Sequence, residues 1–139
     1  MGEIRFSTGV VTYNINGCCE VAFNPTDGGF AQRLAGVFST LDKKQAEYAA
    51  ALEKAGSAEE IFAVADRLDR EMREMIDGIF DKPVCEAVFG SLNVYAMADG
   101  LPVWANLLLA LMGEMGDSFA REQAGTDPAV EKYLAKYKK

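Results

Sequence analysis

The chain has 139 residues, half of them hydrophobic, with 14 Lys and Arg against 21 Asp and Glu for a formal net charge of −7. That length suits one domain and buries roughly 68% of the unfolded surface, so neither a metal nor a disulfide is needed for folding. The acidic balance argues against nucleic acid or an anionic membrane as the main partner, and the absence of histidine removes Ser-His-Asp and Cys-His catalysis, His-ligated zinc and the commonest general base.

Residues 1–23 read as a β-hairpin. Gly9 to Ile15 is rich in β-branched and aromatic residues, and Asn16-Gly17 is a strong type I′ turn signal because both positions need positive φ. Cys18 to Phe23 then alternates, with Cys19, Val21 and Phe23 on one face. An isolated hairpin is marginal in water, so it must pack on helices or pair with another chain.

Residues 24–80 read as a long antiparallel helical hairpin. Asn24 caps the first helix, Pro25 takes its first position, and Phe30, Leu34, Val37, Phe38, Leu41, Tyr48 and Leu52 form its apolar stripe. A kink over residues 36–42, starting at Gly36, is the alternative to a straight helix. Gly56 ends this helix and Ser57-Ala58-Glu59-Glu60 is a capping box for the next. The second stripe runs Ile61, Phe62, Ala65, Leu68, Met72, Met75, Ile76, Ile79 and Phe80, with Asp66–Arg70 and Asp69–Arg73 pairs on its outer face. A straight first helix over 25–55 would be roughly 46 Å long. It would overhang a compact body, leaving residues 43–60 as an exposed tip.

Residues 81–139 complete a mainly α single domain. Lys82-Pro83 ends the second helix and opens a short one to Phe89, stopped by Gly90; Asn93 caps a turn or two over 94–98, which Asp99-Gly100 breaks. Pro102 opens a very apolar helix to about Phe119, the longest apolar stretch being too short to cross a bilayer. A last helix after Thr126 or Asp127 carries Val130, Tyr133, Leu134 and Tyr137, with four lysines between 130 and 139. The first residues lack a basic region followed by an apolar run, so no signal peptide is expected.

Two constellations could carry covalent chemistry. The run Asp66, Asp69, Glu71, Glu74 and Asp77 has helical spacing, but a dimetal bundle also needs an acid-x-x-His motif, and the interleaved arginines read as a solvated, salt-laced face. Cys85 lies near a helix start that would lower its pKa, without a histidine to serve as base. Cys18, Cys19 and Cys85 are odd in number, two of them adjacent, and read as reduced thiols. The expectation is a protein without catalytic, metal or cofactor residues. Its candidate partner-binding residues are Trp104, Leu107, Leu108, Met112 and Met115 of the apolar helix, with Tyr133 and Tyr137 of the basic end.

Several segments resemble a family of small proteins encoded in the tail-gene region of phages and prophages of Gram-positive bacteria. They are Asn24-Pro25-Thr26-Asp27 with Phe30 and Arg33, Glu71-Met72-Arg73-Glu74-Met75-Ile76-Asp77, Asn93-Val94-Tyr95-Ala96-Met97-Ala98-Asp99-Gly100-Leu101-Pro102-Val103-Trp104, and the closing lysine-rich end. The layout, with Ile76-Asp77-x-x-Phe80 and Val88-Phe89-Gly90, is similar to tail assembly chaperones. Where those carry Gly-Glu-Gly-Thr, this chain has Asp81-Lys82-Pro83-Val84. The resemblance implies a non-enzymatic, cofactor-free protein of the bacterial host cytoplasm that binds hydrophobic helices of the tape-measure protein during assembly. A homo-oligomeric structural component of the tail or connector is the alternative.

Overall fold

The computed structural model describes residues 1–124; the helix expected near the C-terminus, with Tyr133 and Tyr137, lies outside them. The protein is mainly α, with a two-stranded antiparallel hairpin ahead of the helices.

Strands β1 (Val11–Ile15) and β2 (Cys19–Phe23) pair with Val11 opposite Phe23 and Ile15 opposite Cys19. The expected turn is present: Asn16 and Gly17 sit at φ 53° and 72°, and the Cys18 N–H donates to the Ile15 carbonyl. Alternation sends Cys19, Val21 and Phe23 into the core. There the Phe23 ring lies 4.3 Å from Phe30 and 4.8 Å from Tyr13, stacked on both.

Helix α1 (Gly28–Lys54) starts three residues later than Pro25, the position expected from the sequence. Asn24 is not its cap. The Asn24 Oδ1 accepts from the Thr26 N–H and hydroxyl, its Nδ2 donates to the Thr8 carbonyl, and Asp27 caps the helix through the Gly29 N–H. The Asx turn thus competes with the helix for the same side chain. The helix then runs through Gly36 without a break, for about 40 Å.

Helix α2 (Ala58–Phe80) folds back along α1 and buries Leu68, Met72, Ile76 and Ile79 against it. Its start is the expected box: Ser57 Oγ accepts from the Glu60 N–H and the Glu60 carboxylate accepts from the Gly56 N–H. The expected stripe does not extend to its first turn. Phe62 is 69% exposed and Ile61 is exposed as well.

Asp81, left-handed at φ 51°, closes α2. Helix α3 (Val84–Phe89) follows and Gly90 stops it at φ 56°. The turn of helix expected over 94–98 is absent. Asn93 Oδ1 accepts from the Tyr95 N–H in a second Asx turn, and β3 (Met97–Ala98) pairs with β4 (Leu101–Pro102). Asp99 and Gly100, at φ 54° and 81°, form the turn between them. This small hairpin starts helix α4 (Val103–Ala124). Two of the helix's first amides, on Val103 and Trp104, donate to the carbonyls of Ala96 and Val94. No helix among the described residues is long and apolar enough to cross a membrane.

Candidate functional site

Helix α4 was expected to present Trp104, Leu107, Leu108, Met112 and Met115 to a partner. Trp104 and Leu108 instead belong to the core. Trp104 is 2% exposed, tilts against Phe38 at 5.6 Å, and its Nε1 donates to Gln45 Oε1 at 2.9 Å. Leu108 is fully buried, while Met112 and Met115 are half-buried against the same cluster. A helix apolar nearly all round is either central or covered by a partner, and around Trp104 and Leu108 it is central. The groove expected at those two residues is therefore corrected.

Leu107 alone leads to a surface feature. It forms the base of a groove of about 350 Å³, walled by Val88 and Phe89 of α3, Val103 of α4 and Ile15 of β1, with Leu92 and Ala98 at the rim. Among the described residues, the polar side chains lining it are Asn16 and Asn106. Beside it stand Met97 and Leu101 of the small hairpin, 63% and 40% exposed. With no ionisable group in its lining among the described residues, this groove is suited to taking up apolar side chains.

Two acids of the α2 run, Asp69 and Asp77, bind backbone of the segments that lead into the groove walls. Asp69 and Arg73 form an ion pair at 3.0 Å, with both side chains largely shielded from water. Arg73 also donates to the carbonyls of Gly90 and Leu92, and Asp69 accepts from the Val94 N–H at 2.8 Å. Asp77 accepts from the Cys85 N–H at 2.9 Å and so caps α3, which has no side-chain cap of its own. Asn106 Nδ2 donates to the Ala98 carbonyl and ties the small hairpin to α4. The Asp69–Arg73 pair expected on a solvated face is thus a clamp on residues 90–94.

Cys85, whose N–H donates to Asp77, is buried. Burial pushes its thiol pKa well up, and the neighbouring Asp77 carboxylate pushes it further, so the low-pKa thiol expected at a helix start is corrected. Tyr95 is raised in the same way, by burial first and then by the charges of Glu47 and Glu71. Its ring stacks on Tyr48 at 4.0 Å, and its hydroxyl has no hydrogen-bond partner among the described residues. Among the described residues no group of three or more Cys, Asp or Glu is arranged to hold a metal ion.

The groove residues outside α4 were not identified from the sequence. Asp99-Gly100 was the available signal, since the turn rule applied to Asn16-Gly17 also reads it as a hairpin. Compared with known proteins, the chain matches no family model, no curated protein and no solved structure.

Proposed function

We propose that this protein is a non-enzymatic tail-region protein of a phage or prophage, acting in the bacterial host cytoplasm as a tail assembly chaperone. Its client is a hydrophobic helix of the tape-measure protein. The observation that carries the reading is the groove over Leu107, with an apolar lining and exposed Leu92, Met97 and Leu101 around it. A helix laying one apolar side into such a groove is a recurrent mode of recognition. Methionine at the edge adapts to varied side chains.

Co-purification with a fragment of the tape-measure protein encoded alongside it tests the proposal. Leu92→Asp together with Met97→Asp places charge on exposed positions and leaves the core intact. Retention is expected to fall at least about tenfold, some 1.4 kcal/mol. Undiminished capture by the double variant would overturn the reading. A second reading, a self-associating structural component of the tail or connector, is favoured by the apolar side chains exposed on residues 1–11.

A further inference from the structure

Helix α4 has two unlike sides. Trp104, Leu108 and Leu111 turn inward and are buried. The opposite side faces water and presents Leu109, Ala110, Gly113, Gly116, Asp117 and Ala120. Asp117 is the one charged residue among them. The exposed side of α2 carries Asp66, Arg67, Arg70 and Glu74 over a shorter length. A helix side with so little charge calls for a cover. Leu109 is 41% exposed, and a Cβ on Gly113 or Gly116 would meet nothing within 4 Å. The side chains there are short, so a second helix can approach the α4 backbone closely.

Three features select the occupant. Residues 125–139 continue directly from α4, and Gly125-Thr126-Asp127 ahead of Pro128 has the length of a connection between antiparallel helices. Helical spacing over 128–139 brings Val130, Tyr133, Leu134 and Tyr137 to one side. A helix of that length measures about 18 Å, and the α4 side from Leu109 to Ala120 measures about 17 Å. The charges are complementary too. Lys132, Lys136, Lys138 and Lys139 outnumber Glu131 in the segment, and Asp117 forms no ion pair among the described residues.

We propose that residues 128–139 fold back along α4 of their own chain and cover this side of it, with Tyr133 over Gly113 and Gly116, Tyr137 over Leu109, and Lys132 beside Asp117. The tether favours the same chain over a second copy. A short connection holds the segment at an effective concentration in the millimolar range, above that of free copies in solution. The last turn of the segment then lies beside Ala110, which lines the groove over Leu107, and borders that groove without filling it. The inference goes beyond the client reading and does not depend on it.

Nuclear magnetic resonance on the whole chain tests it. The Leu109 methyl groups should contact the Tyr137 ring, and a mixture of isotope-labelled and unlabelled chains should show that contact within one chain only. Gly113→Gln with Gly116→Gln adds side chains that meet nothing in the described body and favours helix. That variant should keep the helical circular dichroism and speed hydrogen exchange of residues 130–137 at least about tenfold. Leu109→Asp should do the same. Exchange of residues 130–137 at free-peptide rates in the unsubstituted chain would overturn the proposal. So would protection unmoved by both variants, a Leu109–Tyr137 contact between chains, or a tyrosine ring seated on Val11 and Phe119 instead.

Discussion

The two ends of the α1–α2 hairpin are built on different principles. At one end Phe30, Leu34 and Leu41 of α1 and Leu68, Met72, Ile76 and Ile79 of α2 are buried under the β-hairpin and α4. At the other, beyond the Tyr48–Tyr95 stack, residues 49–63 include no buried side chain, and Phe62 faces water. The first end is held by burial. The second is held by local terms: the Ser57 cap, the Glu60 carboxylate on Gly56, and alanine-rich helix. Identical secondary structure therefore conceals unequal stability, and the tip should open without the body.

Substitutions in the two regions test this directly. Trp104→Ala removes a core ring and its bond to Gln45, and a loss of about 3–5 kcal/mol is expected in denaturant unfolding. A loss below about 1 kcal/mol would mean that α4 is not central. Arg73→Ala leaves Asp69 and the carbonyls of Gly90 and Leu92 short of a partner, for about 2–4 kcal/mol. The same variant should loosen the groove and raise hydrogen exchange over residues 90–94. Ser57→Ala, at the tip, should cost only about 1 kcal/mol. It should speed exchange of tip amides while leaving those near Leu108 unchanged. Phe62→Ser should shift stability by no more than about 0.5 kcal/mol.

Another small effect lies at the boundary between the regions. Lys44 and Glu71 link α1 to α2 at 2.9 Å, and the hydrogen bond from Lys44 holds the Glu71 carboxyl below its ordinary value. A depressed carboxylate pKa contributes stability that is complete above the unfolded pKa and is lost as pH falls through the folded one. Glu71 is partly exposed, so the pair is worth about 0.2–1 kcal/mol. Lys44→Met should flatten the acid limb of the stability profile by that amount.

How much of this was legible follows the range of the interactions. Asn16-Gly17, the Ser57 box and the Gly90 stop are encoded within four residues, and each is present as the sequence specifies. The start of α1 was misplaced because Asn24 has two local options, and Thr8 and Thr26 decide between them. Asp99-Gly100 read as a helix breaker because its strands are two residues long, too short to show alternation. The Asp69–Arg73 pair was visible as spacing, but nothing in α2 reveals that residues 90–94 fold onto it. The groove draws on β1, α3, α4 and the small hairpin, so no single stretch carries its pattern. Trp104 and Leu108 were assigned to a surface for a related reason: amphipathicity cannot orient a helix that is apolar on most sides.

The turn at residues 55–57 carries one further consequence. Ends of a helical pair that bear no buried weight tolerate added chain. A fluorescent reporter or affinity handle inserted after Gly56 would ride about 20 Å beyond Leu41 and Leu68, the last fully buried side chains of the pair, and away from the groove over Leu107. Such a fusion lets client capture be followed in living cells.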